Sequence, residues 1–348
     1  MDGLDKRNDR MRRLIGTILM LLLAGAGSSQ PSDAQSQSND PIKTLKFTLP
    51  IACEIGRTCE VQNYVDRDPT TAAKDYMCGS ASYNDHSGVD FRIPDMAAQR
   101  RGVDVLAAAP GRVSRVRDGV ADVSVKLIDR STIEGRECGN GVVIDHGGGL
   151  TTQYCHMANG SIVVPVGAEI RAGQKIGQVG LSGNTEYPHL HFTVRSGQTN
   201  IDPFAPLGGN GNACGSGSSM WKSDVAAALS YKPGTILNVG FATSALTMEQ
   251  VEAGNIVSPT RATQPIVAYV RTINLRVGDV QQFTLKAPDG AILASHAGAP
   301  MTSNQAQHFV FIGKKAPPSG WPKGEYRAEY VVLRAGRPLL RRQFDLRL

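Results

Sequence analysis

Three short segments of this sequence carry side chains that could bind a metal ion and act on a bound substrate. The segments are His86–Asp90 (HSGVD), Tyr154–His156 (YCH) and His189–His191 (HLH). In each of them two polar side chains stand an even number of residues apart, and on an extended strand that spacing places both on one face. A catalytic zinc ion takes three protein ligands of the His, Asp or Glu type and leaves one position open for water. The segments offer more such groups than one ion needs, so the surplus is available to act on a substrate.

The combination of these segments is more specific than any one of them. An isolated HxxxD or HxH pattern is weak evidence, but five of the seven histidines lie between residues 86 and 191, and four of those fall in the three segments. The remaining histidines lie outside the three segments. His146 begins an HGGG turn just after a predicted strand. His296 and His308 lie far along the chain without a partner motif, and we expect them to be solvated surface residues.

The elements that must position these groups are short strands. The chain contains 38 glycines, and aromatic residues make up only 6% of it, which favours turns and short strands over long helices. Between residues 41 and 206, alternating segments separated by glycine-rich turns predict strands. These segments are Gly111–Arg117, Val123–Leu127, Gly141–Asp145, Thr151–Met157, Gln174–Gly180 and His189–Arg195.

A second β-rich block follows a Gly/Ser-rich stretch at residues 207–224, which we interpret as a linker. From residue 225 to 348 apolar and polar residues alternate. Tyr326, Ala328, Tyr330 and Val332, for example, fall on one face of a strand. Strands at this spacing, broken by short turns, predict a β-sandwich. The expected fold is therefore mainly β, with a metal-binding domain at residues 41–206 followed by a β-sandwich-like C-terminal domain.

The N-terminal residues are typical of an export signal. A basic stretch precedes the apolar run Leu14–Ala26, whose 13 residues are too few to span a bilayer, which takes about 20. We therefore predict a signal peptide at residues 1–26, with a short membrane anchor as the alternative, and a disordered linker at residues 27–40. No stable membrane insertion is expected once the signal is removed.

Six cysteines remain in the exported part of the chain, an even number that predicts up to three disulfides in an oxidising compartment. Six cysteines allow about 15 pairings, and the sequence does not choose among them, although Cys53 and Cys59 are spaced for a local loop. A cysteine-based metal site is disfavoured because no CxxC pair exists. The chain carries a net charge of +6, but its exported part contains no long run of basic residues, so no nucleic-acid partner is expected.

Residues 80–206 resemble the LytM/lysostaphin family of zinc endopeptidases, which act on bacterial cell walls. The resemblance rests on HSGVD, on the run GNGVVIDHGGGLTTQYCHM and on PHLHF. It implies that His86, Asp90 and His191 bind Zn²⁺ and that His156 and His189 form the catalytic pair. It also implies an antiparallel sheet crossed by a groove, in agreement with the strand pattern, and a structural role for His146. Tyr83, three residues before His86, could donate a hydrogen bond to an oxyanion or could simply pack.

The resemblance implies an exported zinc metalloendopeptidase that hydrolyses peptide bonds in peptidoglycan stem peptides or cross-bridges, in the periplasm or outside the cell. Two alternatives stay open. Some proteins similar to this family have lost the zinc ligands and regulate other wall hydrolases, although here the full ligand set is present. The same chemistry would also serve an exported protease of Gly-rich proteins, and only substrate tests separate that function from wall hydrolysis.

Overall fold

A computed structural model of the protein describes residues 40–207, 214, 215 and 217–348. The predicted signal peptide and nearly all of the linker that follows it lie outside these residues. No helix in the described part of the chain is long and apolar enough to cross a membrane.

The N-terminal half is built on an antiparallel sheet in the strand order β1-β2-β9-β6-β5-β4-β7, with β10 paired to β9. A smaller sheet pairs β3 with β8. The strands are β1 (Glu60–Asn63), β2 (Val89–Arg92), β3 (Asp104–Leu106), β4 (Gly111–Arg117), β5 (Asn140–Asp145), β6 (Leu150–Met157), β7 (Glu169–Ile170), β8 (Lys175–Gln178), β9 (His189–Ser196) and β10 (Thr199–Ile201). Two short helices, α1 (Pro41–Thr44) and α2 (Met96–Arg101), and a 3₁₀ turn at Arg130–Ile133 complete this half.

Alternation along β9 explains why this sheet has one apolar and one polar face. Leu190, Phe192 and Val194 are fully buried in the core. The residues between them, among them His191 and Thr193, point to the opposite face. The two faces of the strand therefore have different roles. The apolar side chains anchor β9 in the core, and the polar side chains form part of the site.

One predicted strand is absent. Val123–Leu127 alternates apolar and polar residues, but in the structure it lies in a loop between β4 and β5. The Val125 amide donates a single hydrogen bond to the Thr185 carbonyl, and the Ser124 hydroxyl bonds the Glu186 carbonyl. The segment therefore packs against one loop and has no neighbouring strand edge with which to form a ladder.

The C-terminal half is a sandwich of two sheets, ordered β11-β12-β15 and β14-β13-β16-β17, as the sequence predicted. Tyr326, Ala328, Tyr330 and Val332 are all fully buried in the core that the sheets share. We call this half the C-terminal module. Its elements are α3 (Ser223–Ala228), β11 (Thr235–Ala242), α4 (Met248–Ala253), β12 (Pro265–Leu275), β13 (Val280–Lys286), β14 (Ile292–Ala297), β15 (Gln305–Lys315), β16 (Glu325–Arg334) and β17 (Arg337–Arg347).

The six cysteines form three disulfides, Cys53–Cys59, Cys78–Cys214 and Cys138–Cys155. The local Cys53–Cys59 loop that the spacing suggested is confirmed. Cys214 ties the predicted linker back to the N-terminal half, and Trp221 near the end of that linker is buried in the main core. The domain boundaries themselves stay predictions.

A buried ion cluster joins the sheet of the N-terminal half to the C-terminal module. Arg92 on β2 and Arg271 on β12 are both fully buried, and both bond the same carboxylate oxygen of Glu252 on α4. Burial and the neighbouring charge of Arg92 lower the pKa of Arg271. Glu252 therefore holds together two cations that would otherwise repel each other in a medium of low dielectric constant.

Replacing Glu252→Gln is expected to destabilise the protein by about 3 kcal/mol, because two buried guanidinium groups would lose their shared counter-charge. Urea unfolding of the full chain measures this change. Glu249→Gln on the exposed side of the same helix is the matched control and should leave the unfolding midpoint unchanged. A Glu252→Gln protein as stable as the control would show that the cluster contributes no net stability.

Asp202 is a second buried acid, only 6% exposed. Its Oδ1 accepts a hydrogen bond of 2.9 Å from the Phe204 amide, and its Oδ2 has no partner among the described residues. Burial raises the pKa of Asp202 to about 6, against the opposing effects of that amide and of Arg67. The folded protein thus keeps a proton on Asp202 that the unfolded chain releases near pH 4.

Stability should therefore fall as pH rises from about 4 to about 6, because the folded state binds the extra proton in that window. Asn at position 202 does not titrate. The free energy of unfolding of wild type minus that of Asp202→Asn should fall by up to about 3 kcal/mol across the window and stay constant above it. Denaturant titrations at pH 4, 5, 6 and 7 test this, and a difference independent of pH would refute the shift.

Candidate metal centre and active site

The structure brings His86, Asp90 and His191 to one point on the polar face of the sheet. Asp90 on β2 stands directly opposite His191 on β9, and His86 lies in the loop that enters β2. His191 Nδ1 is 2.8 Å from Asp90 Oδ1, and His86 Nε2 is 3.2 Å from both of those atoms. Ligand atoms around a tetrahedral zinc ion, with bonds of about 2.0–2.1 Å, stand roughly 3.3 Å apart. The spacing of these three atoms fits such an ion.

Hydrogen bonds on the outer side of each ring fix which nitrogen faces the centre. His86 Nδ1 donates to the Tyr64 carbonyl at 2.7 Å, so its Nε2 presents a lone pair. His191 Nε2 lies 2.9 Å from the Thr193 hydroxyl, so its Nδ1 is the nitrogen that faces the centre. Metal-binding histidines are commonly oriented in this way by a second bond. Two imidazole nitrogens and a carboxylate oxygen thus converge on one point, where all three could bind the same cation.

Asp90 is the negative charge of the cluster and is almost completely buried. Burial by itself would raise the pKa of its carboxyl, but His86 and His189, with hydrogen bonds from the surrounding imidazoles, hold that pKa well below its usual range. Its second oxygen accepts a 2.8 Å hydrogen bond from the Asn63 amide on β1. The carboxylate is therefore ionised and held in a fixed orientation.

His156 and His189 lie beside this group, with ring centroids 4.7 Å apart. His156 Nδ1 donates to the Ser182 carbonyl at 2.8 Å, and His189 Nδ1 donates to the Tyr187 carbonyl at 3.0 Å. Burial lowers the pKa of His156 well below its usual value, and the nearby His189 and His191 rings lower it further. His156 is therefore neutral at pH 7, and its Nε2 has no hydrogen-bond partner within the part of the chain that the structure describes.

The sequence-predicted site residues thus come together in one cluster. A second set of three, His156, His189 and His191, also has ring nitrogens close enough to share an ion. Only the set that includes Asp90 provides a negative charge. The cluster opens into a cavity of about 250 Å³ that His86, His156 and His191 line. Tyr83 lines the same cavity. It is half exposed, and its ring centroid lies 4.4 Å from that of His86.

The supporting residues were not found by sequence reasoning. Asn63, Tyr64 and Ser182 orient the cluster from loops and from a strand distant in the sequence, where no local pattern marks them. Thr193 could have been found, because it lies two residues after His191 and alternation places it on the same face.

The other histidines divide as follows. His146 bonds the Pro110 carbonyl and the Thr152 hydroxyl, which is the structural role that we expected. His296 is exposed, as expected. His308 is half-buried on β15 with Nδ1 unpartnered among the described residues, so the expectation of a solvated His308 is wrong. The reason is packing, because β15 pairs along its whole length with the buried strand β12.

The ion cluster of the C-terminal module reaches the back of this site. The Arg92 guanidinium lies 3.6 Å from the centroid of the Tyr187 ring, in the geometry of a cation–π contact. Gln62 bonds both Arg92 and the Tyr187 hydroxyl. The Tyr187 carbonyl in turn accepts from His189, so a chain of contacts links Glu252 to one of the paired histidines.

Comparison with known proteins identifies this region. Residues 84–203 match Peptidase family M23. Peptidoglycan DD-endopeptidase ShyA of Vibrio cholerae is 43% identical over 109 residues, which are 31% of this chain and 20% of that protein. DD-carboxypeptidase/endopeptidase Mpg of Neisseria meningitidis is 29% identical over 120 residues, 34% of this chain and 22% of that protein. Murein hydrolase activator EnvC of Escherichia coli is 40% identical over 67 residues, 19% and 16% of the two chains.

This chain thus spans less than a quarter of the length of each of these relatives. The matched segment nevertheless contains all three motifs, from HSGVD to HLH. The resemblance to LytM-type enzymes that those motifs predicted is confirmed, and residues 84–203 form a domain of peptidase family M23.

Proposed function

We propose that this protein is an exported zinc-dependent endopeptidase that hydrolyses peptide bonds in peptidoglycan stem peptides or cross-bridges. The observation that carries the proposal is the convergence of His86 Nε2, His191 Nδ1 and Asp90 Oδ1, at 2.8–3.2 Å from one another. Two further imidazoles face the same point. This is the ligand set of a catalytic zinc site together with groups that can move protons.

The proposed zinc ligands are His86, Asp90 and His191. The set combines two imidazoles with one carboxylate, and each ring is held by a hydrogen bond at its outer nitrogen so that the other nitrogen faces the centre. A zinc ion held there would supply a bound water of pKa about 7 and would polarise the scissile carbonyl.

His156 is the proposed general base. Its neutral ring has an Nε2 without a partner among the described residues, and this atom can accept a proton from the attacking water and pass it to the leaving amine, while the Ser182 carbonyl holds Nδ1–H. His189 Nε2 lies 3.3 Å from Asp90 Oδ1, and with Nδ1–H held by the Tyr187 carbonyl a second proton on Nε2 would stabilise developing negative charge. Tyr83, on the wall of the same cavity, is a candidate donor to the oxyanion.

Three observations support a wall peptide as the substrate. The site lies in an open cavity on a sheet face, where an extended peptide can bind. Two relatives, ShyA and Mpg, are named as endopeptidases, ShyA explicitly of peptidoglycan. Three disulfides suit an oxidising compartment such as the periplasm or the exterior of the cell, in agreement with the predicted signal peptide.

His191→Ala is expected to remove both metal and activity, because one ligand is lost from a set of three. Zinc content and release of peptides from purified peptidoglycan are measured on the same preparation, with exposed His296→Ala as the control. About one zinc per wild-type chain with cleavage lost in His191→Ala is the expected result. A wild-type protein that neither binds zinc nor cleaves would instead favour a regulator of other hydrolases, as EnvC is named.

His156→Ala and His189→Ala are expected to keep zinc and to lose about 10²–10⁴-fold in rate, because they act on the substrate and not on the metal. Metal analysis and initial rates of cleavage separate the two effects. A His189→Ala protein that loses its zinc would contradict the assignment and would move the metal to the set formed by His156, His189 and His191.

A further inference from the structure

The polar face that carries the metal cluster continues along β9 beyond it. His191, Thr193 and Arg195 alternate on that face, and Arg195 stands opposite Thr151 on β6. A cavity of about 640 Å³ covers this part of the sheet. It shares Cys138, Gln153 and Arg195 with the smaller cavity at the metal cluster, so the two form one continuous groove.

The larger cavity is strongly basic. Arg115, Arg117 and Arg195 line it, and no Asp or Glu does so among the described residues. Arg117 is engaged elsewhere, because it donates to the Gly139 carbonyl at 2.6 Å. Backbone hydrogen bonds lower the pKa of the nearby Glu137 carboxyl, and the charge of Arg117 lowers it further. Arg115 and Arg195 are therefore the two arginines of the cavity that have no nearby carboxylate among the described residues that line it.

Neither of these two arginines forms an ion pair within the described residues. Arg195 Nε donates to Asn200 Oδ1 at 3.2 Å and Nη1 donates to Gln153 Oε1, both of them neutral acceptors. The Arg115 side chain has no hydrogen-bond partner within the same described part of the chain. Burial lowers the pKa of Arg195, and the charge of Arg115 lowers it further. Two repelling cations over a concave surface attract an anion.

We propose that Arg115 and Arg195 form a subsite that binds a free carboxylate of the peptide whose scissile bond lies at the metal cluster. Guanidinium groups suit this role because their planar donors match a carboxylate. Arg195 lies four residues beyond His191 on the same strand, so the subsite is about 13 Å from the cluster at roughly 3.3 Å per residue. An extended peptide spans that distance in about four residues.

This inference rests on the proposed function and adds to it a preference among peptide substrates. Among wall peptides, the enzyme would select those whose carboxyl groups are free over those in which the same groups are amidated. The selecting residues lie outside the metal cluster and take no part in the chemical step.

The test uses two synthetic cross-linked stem-peptide dimers that differ only in whether their side carboxyl groups are free or amidated. Equilibrium binding of each to the full chain is measured in the presence of a chelator, so that no turnover occurs. Wild type should bind the free-carboxylate dimer about 10–100-fold more tightly, the range expected for hydrogen bonds to a charged group. Arg115→Gln and Arg195→Gln should each lose most of that preference and should bind the amidated dimer as wild type does.

Arg112→Gln is the matched control, because Arg112 lies on the same strand but bonds the Gly167 carbonyl outside the cavity. Arg115→Gln removes no hydrogen bond, so it keeps the test valid even if Arg195→Gln disturbs the fold. Any one of three results would overturn the subsite. Wild type could bind the two dimers equally, Arg115→Gln could keep the preference for the free-carboxylate dimer, or neither dimer could bind at millimolar concentration.

Cleavage by the zinc-loaded protein is measured separately. If wild type prefers the free-carboxylate dimer in binding but cleaves neither dimer, the subsite stands and the proposed enzymatic function fails. If it cleaves both dimers with equal kcat/KM and binds them equally, the enzymatic function stands and the subsite fails.

Discussion

The buried carboxylate of Asp90 is the constraint on which the rest of the domain depends. Three imidazole nitrogens lie within 3.3 Å of its Oδ1. A charge in the core is tolerated only where partners compensate it, so each surrounding ring must be held at the correct angle. Antiparallel pairing of β2 with β9 meets this demand, because it sets Asp90 opposite His191 and Arg92 opposite His189. The remaining contacts come from β1, from β9 itself and from backbone carbonyl groups of the neighbouring loops.

The C-terminal module contributes to the same arrangement from behind. Glu252 holds Arg92, and Arg92 lies over the ring of Tyr187, whose carbonyl orients His189. The module is therefore attached through the strand that carries Asp90, so a change in this attachment would alter the position of groups at the candidate site. Arg92 and Glu252 are 160 residues apart in the sequence. No local sequence pattern in either half therefore predicts their contact.

The groove extends the polar face of the sheet in one direction, towards Arg115 and Arg195. Its electrostatics differ along its length. The cluster end contains a carboxylate and four imidazoles, whereas the far end contains guanidinium groups that form no ion pair with the described residues. The same alternation on β9 that places His191 in the His/Asp cluster places Arg195 in the proposed anion subsite. The proposed chemistry and the proposed selection therefore rest on different residues of one strand.

The sequence by itself determined the mainly β fold, the sandwich of the C-terminal half and the five groups that converge at the site, because a two-residue alternation and motif spacing are local properties. It could not determine the disulfide pairing, the neighbours that fix each imidazole or the ion cluster around Glu252. It also misassigned Val123–Leu127 as a strand and His308 as a surface residue. Those features depend on which strand edges and which distant side chains meet, and only the tertiary packing decides that.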